Sequence, residues 1–376
     1  MADLRVLSIF GTRPEAIKMA PVVKALENAD GIVSRVCVTA QHREMLDQVL
    51  ELFKIKPDID LNLMKPNQSL SQLTAQILEN IDPVLSEEKP DWVLIQGDTT
   101  TVMAASLAAF YRGIKVGHVE AGLRTNDKLQ PFPEEINRRI ASVTADLHFA
   151  PTQLSRENLL NEGISDDHIL VTGNPAIDAL QQIVTMPAPA QVEAWLKEWG
   201  ISNGKRRLVL ITAHRRENFG QPIEDICSAI SSLASHYGDA VKWVYPVHLN
   251  PNIQETVKQR LGSLSEVTLL APLEYISLVH LMKAAAIILT DSGGIQEEAT
   301  GLGKPALVLR EKTERPEGVA AGVLKLVGTD PKKIISETRH LLDDPKAYDA
   351  MAHAENPFGD GHAAGRIVKG LLDYSG

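Results

Sequence analysis

Short runs of apolar and β-branched residues alternate with amphipathic stretches along almost the whole chain. One such stretch, PEAIKMAPVVKALEN, has helical spacing and places Pro14 at a favourable first position. Strands that alternate with helices form parallel sheets covered on both faces, so the pattern predicts an α/β fold. The predicted strands are Arg5–Phe10, Ser34–Thr39, Trp92–Gln96, Lys115–Val119, Leu147–Ala150, Ile169–Thr172, Leu208–Thr212, Lys242–Pro246, Val267–Leu270, Ala286–Thr290, Ala306–Leu309 and Leu324–Val327.

The strands fall into two series, separated by a segment rich in proline, alanine and polar residues at 181–207. A chain of 376 residues is long enough for two domains that each bury a core. We therefore expect two doubly wound Rossmann-like domains that face each other across a cleft, with residues 1–172 in the first and 173–356 in the second. Ligands of such sheets bind beyond the carboxyl ends of the strands, which is where functional residues are expected.

Composition excludes several classes of function. A net charge of −10 argues against nucleic acid as a partner, because that affinity depends on neutralising many phosphates. Cys37 and Cys227 lack metal-ligand spacing, and we interpret both as core residues in a reducing compartment. The N-terminal residues enter a strand without a signal region, and no apolar run reaches about 18 residues. These features predict a cytoplasmic protein with no membrane partner.

Charged residues follow the first predicted strand in the segment FGTRPEAIK. Only Gly11 is present there, so the segment is not the G-x-G-x-x-G of a nicotinamide or flavin binder. Arg13 and Lys18 flank a helix start, where the helix dipole disfavours cations. Either they form a solvated surface pair, or an anionic ligand or carboxylate compensates them.

Carboxylates follow the next strands of the first series. Asp98 comes after the third strand and is either an N-cap or a functional acid. Glu120 leaves the fourth strand beside glycines, which is a less common place for a cap. Glu134 and Glu135 begin a helix after two prolines, and we expect one of them to offset the helix dipole and the other to be available for chemistry.

Cations follow two strands of the second series. His214 comes directly after a strand and precedes Arg215 and Arg216, which predicts an anion site. Arg315 lies in a turn after the strand ALVLR and adds a further cation.

The segment TDSGGIQEE follows another strand of the second series. Ser292, Gly293 and Gly294 form a turn at a helix start, whose backbone N–H groups suit a diphosphate. Glu298 lies one turn into that helix, far enough away to accept hydrogen bonds from a ribose diol. The order of strand, glycine turn, helix and acid predicts a site for a nucleoside diphosphate.

Several motifs together resemble the non-hydrolysing UDP-N-acetylglucosamine 2-epimerases, from residue 4 to about residue 366. The resemblance implies a glycosyltransferase-B type fold, a homodimer, and interconversion of UDP-N-acetylglucosamine and UDP-N-acetylmannosamine. It also implies that a C-terminal helix, at 357–376, packs back on the first domain. By analogy, the product is expected to supply surface polysaccharide synthesis. The motifs are FGTRPEAIKMAP, TAQHREMLDQVL, GDTTT, HVEAGLRT, PEEINR, HRREN, PVHLNP and LTDSGGIQEEA with LGKP.

The resemblance also assigns roles to individual residues. The uracil loop falls in APLEYISL, where Leu273 stands in place of an expected polar residue. Asp98, Glu120 and His214 are both substrate contacts and catalytic residues. The implied catalytic set is Asp98, Glu120, Glu134 and His214. The other implied substrate contacts are Arg13, Lys18, Ser292, Gly293, Gly294, Glu298 and Arg315.

The chemistry of this reaction fits the residues. The C2 proton is not next to a carbonyl, and without a nicotinamide fingerprint oxidation and reduction are not expected. Elimination of UDP to a 2-acetamidoglucal, followed by re-addition, needs carboxylates and a diphosphate site but no cofactor or metal. The alternatives are a glycosyltransferase of the same fold, a hydrolysing 2-epimerase, and a UDP-sugar sensor without turnover.

Two strand-end motifs remain outside this substrate site. Gln41 and His42 in TAQHREM, His248 in PVHLNP, and Arg215 have no role in it. They either support packing or bind a second UDP-N-acetylglucosamine as an activator, as the resemblance to bacterial members of the family implies.

Overall fold

A computed structural model describes residues 3–40, 43–63 and 68–374. It contains two parallel β-sheets, built from strands of mainly Val, Ile and Leu that are buried on both faces. The strands are β1 Leu4–Phe10, β2 Ile32–Val38, β3 Ile59–Asp60, β4 Trp92–Gln96, β5 Lys115–Val119, β6 Leu147–Ala150, β7 Ile169–Val171, β8 Arg207–Thr212, β9 Val241–Pro246, β10 Val267–Leu270, β11 Ile287–Thr290, β12 Ala306–Val308 and β13 Leu324–Leu326.

Helices connect the strands. The longest helix of the second series, Gln221–Tyr237, buries Ile223, Ile226, Ile230 and Leu233, whose helical spacing puts them on one face. The helices are α1 Arg13–Glu27, α2 Arg43–Leu52, α3 Leu70–Glu88, α4 Thr100–Tyr111, α5 Glu134–Thr144, α6 Gln153–Asn161, α7 Pro175–Thr185, α8 Ala190–Glu198, α9 Gln221–Tyr237, α10 Pro251–Leu261, α11 Tyr275–Ala284, α12 Gly293–Gly301, α13 Pro316–Ala320, α14 Pro331–Asp343, α15 Pro345–Ala352 and α16 Ala363–Asp373.

Both sheets are doubly wound. The first has the strand order β3-β2-β1-β4-β5-β6-β7, and the second has the order β10-β9-β8-β11-β12-β13. The order reverses between β1 and β4 in the first sheet, and between β8 and β11 in the second. Loops beyond the carboxyl ends of these central strands leave in opposite directions and open a crevice for ligands. The predicted α/β fold with two Rossmann-like sheets is confirmed.

The chain divides into two units. The first unit extends to Ala179 and also contains the chain from Phe358 onward, and the second unit is Leu180–Pro357. Helix α16 packs against α1 within the first unit. Asp178 accepts hydrogen bonds from the backbone N–H groups of Ala363 at 3.2 Å and Ala364 at 2.9 Å, so its carboxylate holds the first turn of α16.

All twelve predicted strands are present, with ends that differ by two residues at most. Strand β3 was missed because it has only two residues, too few for a visible alternation. It pairs with β2 at the edge of the first sheet. Cys37 and Cys227 are buried free thiols, and burial raises the pKa of each to about 12. Among the described residues, no helix is both long and apolar enough to cross a membrane.

Candidate active site

Glu120 follows β5 at the carboxyl edge of the first sheet. Its backbone is left-handed, with φ of 62°, and only 6% of the residue is exposed. Lys18 on α1 and Gln96 at the end of β4 both donate hydrogen bonds to the same carboxylate oxygen, Oε2. Strands β4 and β5 are neighbours, with Gln96 opposite Val119. The fold therefore brings a cation and an amide to a buried acid at this edge.

Asp98 follows the neighbouring strand β4. The N-cap of α4 is Thr99, whose side chain accepts from the backbone N–H of Val102 at 3.3 Å, so the alternative reading of Asp98 as the cap is wrong. Instead, Arg138 on α5 donates to the Asp98 carboxylate, and Asn137 donates to its backbone carbonyl at 2.9 Å. The Asp98 side chain remains 27% exposed, so it is fixed by α5 and still reachable.

The two acids at the start of α5 have different surroundings. Glu135 is fully buried and accepts from Arg138 at 3.2 Å, from Arg139 at 3.1 Å and from the backbone N–H of Thr125 at 3.1 Å. It is therefore committed to holding α5 and the preceding loop. Glu134 is half-buried and begins the helix.

Glu15 was missed by the sequence reading, although it completes a Thr-x-x-Glu capping box with Thr12. Its carboxylate accepts from the backbone N–H groups of Gly11 at 3.1 Å and Thr12 at 2.7 Å, and from the Thr99 hydroxyl at 2.7 Å. Burial raises its pKa, while these hydrogen bonds act in the opposite direction. Glu15 thus joins the turns after β1 and β4, next to the half-buried Arg13.

The turn before α12 in the second unit is built differently. Ser292 is the N-cap, but its side chain makes no capping hydrogen bond. A Cβ atom added at Gly294 would meet no atom of the described residues within 4 Å beyond its chain neighbours and the backbone of its own helix, whereas one at Gly293 would lie 3.3 Å from Cζ of Arg315. Gly293 therefore lets the guanidinium pack against the turn, and the space beside Gly294 is open.

The two acids of α12 also have different partners. Glu297 accepts a hydrogen bond from Nε of Arg315 at 2.7 Å, and only 1% of it is exposed. Glu298 accepts from the Tyr275 hydroxyl at 3.0 Å and is 7% exposed. Glu297 thus fixes Arg315 beside the turn, while Tyr275 on α11, a residue not singled out from sequence, orients Glu298.

His214 follows β8, the strand paired with β11, at the same sheet edge as the turn before α12. Asp291 accepts from the backbone N–H groups of His214 and Arg215, each at 2.8 Å. The imidazole of His214 stacks on His248 with 5.5 Å between ring centroids. Burial lowers the pKa of His214, Asp291 opposes that change, and His248 and Arg215 add to it.

Known proteins resemble the chain over nearly its whole length. The family model described as UDP-N-acetylglucosamine 2-epimerase matches residues 24–372. The UDP-N-acetylglucosamine 2-epimerase of Salmonella typhimurium is 53% identical over 374 residues, which cover 99% of both chains. The chain belongs to the UDP-N-acetylglucosamine 2-epimerase family. The resemblance inferred from its motifs is confirmed.

Solved structures support the fold of this epimerase-family chain. The Neisseria meningitidis UDP-GlcNAc 2-epimerase bound to UDP-GlcNAc has a TM-score of 0.91 and 51% identity, covering 99% of this chain and 100% of that one. The Methanocaldococcus jannaschii enzyme in complex with UDP-GlcNAc and UDP has a TM-score of 0.82 and 34% identity, covering 98% of this chain and 99% of that one.

The remaining candidates of this epimerase-family chain lie around these two sites or outside the described part. Leu273 is half-buried in the loop between β10 and α11. His248 is exposed, and its Nδ1 accepts from the backbone N–H of Asn250 at 3.1 Å. Gln41 and His42 lie outside the described residues. Within the described residues, no group of three or more His, Cys, Asp or Glu side chains could hold a metal ion.

Proposed function

We propose that this chain catalyses the reversible 2-epimerisation of UDP-N-acetylglucosamine to UDP-N-acetylmannosamine. The observation that carries the proposal is the pair of acids, Asp98 and Glu120, after adjacent strands, held by Arg138 and Lys18 respectively. A protein that only binds a UDP-sugar needs the nucleotide contacts but not these acids. The nucleotide sugar is the ligand named for the neisserial relative, which is 51% identical.

The second unit provides the nucleotide contacts. The N–H groups at the start of α12 and the guanidinium of Arg315 receive the diphosphate, because a helix N-terminus and a fixed cation both favour negative charge. Glu298 accepts hydrogen bonds from the ribose, and the loop that contains Leu273 receives uracil. His214 and Arg315 stabilise the charge that develops on the diphosphate as it leaves.

The first unit provides the acid–base groups. A carboxylate removes the C2 proton, the electron pair forms a C1–C2 double bond, and the C1–O bond breaks to release UDP. The product of this elimination is 2-acetamidoglucal. UDP then adds back at C1 while a proton is delivered to the opposite face of C2, so no net atoms are gained or lost. Asp98 and Glu120 transfer the protons at C2, and Glu134 contributes to the acid–base set.

Proton NMR of UDP-N-acetylglucosamine incubated with the protein alone tests this function. The expected product is UDP-N-acetylmannosamine, formed without any acceptor until a constant ratio is reached. Appearance of free N-acetylmannosamine would instead identify a hydrolysing epimerase. An unchanged spectrum would contradict epimerisation and leave glycosyl transfer or sensing, and addition of acceptor sugars would then separate those two.

A second UDP-N-acetylglucosamine molecule acts as an activator in this proposal. The stacking of His248 on His214 supports an activator site. A molecule bound to His248 would contact the imidazole that lies against His214, which is next to the proposed diphosphate site. Such a ligand favours the active state only through a higher affinity for it. Purified UDP-N-acetylmannosamine should therefore react after a lag that a trace of UDP-N-acetylglucosamine abolishes.

Variants of the activator residues test the same point. Removing Gln41 or His248 should weaken activation more than it weakens UDP binding. His42 and Arg215 are the other two residues of the proposed activator site. Immediate, linear conversion of the purified manno-epimer by the unaltered protein would leave these four residues with a structural role only.

The proposal includes a homodimer, a cytoplasmic location and supply of surface polysaccharide synthesis. Helices α4 and α5 pack together and carry exposed large apolar side chains, with Phe110 59%, Tyr111 71% and Val143 82% exposed. A second copy of the chain would cover this surface. Light scattering should give twice the chain mass of 41.1 kDa, and Val143→Glu should reduce it toward the monomer.

A further inference from the structure

Asp291 is a fully buried acid that organises the loop after β8. It follows β11, and the last residues of the two strands, Thr290 and Thr212, are paired. Its Oδ2 atom accepts from the backbone N–H groups of His214 and Arg215 at 2.8 Å and from Nδ2 of Asn218 at 2.9 Å. One carboxylate oxygen therefore fixes the backbone that carries His214.

The other oxygen, Oδ1, has a different environment. It is buried and has no hydrogen-bond partner within the part of the chain that the structure describes. It lies 3.6 Å from Nδ1 of His214, while the His214 side chain itself is 38% exposed. A carboxylate beside one ring nitrogen selects the tautomer with hydrogen on that nitrogen and favours the protonated ring.

We propose that Asp291 is a positioning residue that holds His214 with Nδ1–H toward the carboxylate, so that Nε2 exchanges the proton with the leaving diphosphate. This inference rests on the proposed function. In the elimination, the Nε2 proton passes to a diphosphate oxygen and the ring becomes neutral with Nδ1–H retained. In the re-addition, the same proton returns to Nε2 as the C1–O bond forms.

The charged and titratable groups that face His214 act in both directions. Asp291 stabilises the protonated ring, whereas His248 on the stacked face and Arg215 next in the chain oppose it, as does burial. Asp291 is thus the group that opposes the other three effects, which together lower the pKa of His214. Its removal should lower the pKa of His214.

Nitrogen-15 NMR of the labelled, unliganded protein tests the tautomer without any variant at Asp291. Long-range ¹H–¹⁵N correlation distinguishes the two ring nitrogens, and the His214 signals are assigned by their loss in His214→Gln. The expected neutral form carries hydrogen on Nδ1. A neutral form with hydrogen on Nε2 would overturn the proposal.

Titration of the Asp291→Asn variant is a second NMR experiment. In Asp291→Asn the pKa of His214 should fall, and an unchanged pKa would also overturn the proposal.

Kinetics supply a second readout, with Asn218→Ala as the matched control. Asn218→Ala removes one hydrogen bond to the same carboxylate but keeps its charge. Because His214 acts in its protonated form, turnover is lost as pH rises through its pKa. Asp291→Asn should lower turnover by at least ~10-fold, since a positioned acid contributes more than this, and should move the basic limb of the profile to lower pH.

The control variant should slow turnover without moving that limb. An Asp291→Asn protein with lower turnover and an unmoved limb would show a role in folding the loop only, and would overturn the proposal. Failure of the unaltered protein to epimerise would contradict the proposed function. The tautomer and the titration of His214 would still be measured in that case, so the two failures are distinguishable.

Discussion

Glu134 and Glu135 are neighbours on the first turn of α5, yet their surroundings differ. Glu135 is fully buried with Arg138 and Arg139, and Glu134 is only half-buried. Glu297 and Glu298 on α12 differ in the same way. Glu297 accepts a hydrogen bond from Arg315, and Glu298 accepts one from Tyr275. In each pair, the acid with the arginine has a structural role.

Glu120→Gln and Asp98→Asn should each lower turnover by ~10²-fold or more, the usual scale for a positioned acid or base. Both substitutions keep the shape of the side chain, so the main change is loss of the group that accepts the proton. Turnover is measured by NMR on UDP-N-acetylglucosamine, and folding by circular dichroism and thermal unfolding.

Glu27→Gln is the matched control for these two variants. Glu27 pairs with Lys24 at 2.8 Å on the surface of the first unit, its side chain is 42% exposed, and such exposed ion pairs contribute little. The control should keep the turnover of the unaltered protein. If either active-site variant is well folded and equally fast, its catalytic assignment is wrong.

The residues that could be inferred from sequence are those beside a recognisable strand end. Glu120 and His214 directly follow strands, so their place at the sheet edge was expected. The partners of these two residues could not be inferred from sequence. Gln96 becomes a neighbour of Glu120 through the pairing of β4 with β5, and Asp291 becomes a neighbour of His214 through the pairing of β8 with β11. The Thr-x-x-Glu capping box identifies Glu15 as a helix-capping residue, but it contains no information about the hydrogen bond from Thr99.

Helices α1 and α12 both begin after central strands of their sheets, but their N-termini differ. The N–H groups of Gly11 and Thr12, at the start of α1, already donate to Glu15. The α12 turn has no side-chain cap and open space at Gly294. An anion would therefore meet hydrogen-bond donors at α12 and a buried acid at α1, which supports the proposed place of the diphosphate at α12.

Gly294→Ala should weaken UDP binding by ~10-fold or more while leaving the protein equally or more stable. Beyond its chain neighbours and the backbone of its own helix, the added methyl group meets no described atom within 4 Å, so we expect it to interfere with the ligand alone. Displacing the diphosphate from one backbone N–H loses a hydrogen bond to a charged group, which contributes about 1.5–3 kcal/mol. Calorimetry with UDP measures the affinity, and urea unfolding measures the stability.

Gly365→Ala on α16 is the control for this variant, because a Cβ atom there also meets nothing within 4 Å. Alanine should stabilise either helix by roughly 0.5–1 kcal/mol, since glycine has the greater backbone entropy when unfolded. UDP affinity should not change in Gly365→Ala. Equal UDP affinity in both variants would contradict the diphosphate assignment.

Strands β5 and β6 carry a pair of buried histidines, His118 and His148, in register with each other. Burial lowers the pKa of His118 to about 4 and that of His148 to about 3. Both values are below the unfolded value of about 6.5, so the unfolded chain binds protons first as pH falls. Their contribution to stability is present above pH ~6.5 and is lost toward pH ~4 and ~3.

Urea unfolding at pH 7.5 and pH 5 measures this linkage. Each histidine should reduce the free energy of unfolding by about 2 kcal/mol between these two pH values. His148→Leu should remove its share of that loss, while His340→Gln on the exposed surface of α14 should not. A loss in His148→Leu as large as in the unaltered protein would contradict the prediction.

The elements themselves were largely predictable, because repeated apolar runs are a strong local signal. Strand β3 was not, since its two residues contain no period. Loop residues, such as those around Leu273, also lack the regular spacing of apolar residues that predicts strands and helices. Their positions depend on packing rather than on local preference.

The two units of the chain have the same kind of sheet topology. In both units a doubly wound parallel sheet reverses its strand order at the centre. Most candidate residues follow strands at or next to that reversal, whereas Leu273 follows the edge strand β10. The candidate acids Asp98, Glu120 and Glu134 belong to the first unit, and the candidates His214, Glu298 and Arg315 belong to the second. The contact of Asp178 with the start of α16 joins residues 185 apart, a distance at which no local pattern gives information.

Deuterium at C2 of the product tests the elimination pathway most directly. UDP-N-acetylglucosamine is incubated with the protein in deuterated water until the ratio of epimers is constant, and both sugars are analysed by NMR and mass spectrometry. Exchange of the C2 proton through a carboxylate predicts one deuterium at C2 of UDP-N-acetylmannosamine and of the recovered substrate. UDP-N-acetylmannosamine that retains hydrogen at C2 when the ratio is constant would contradict the account.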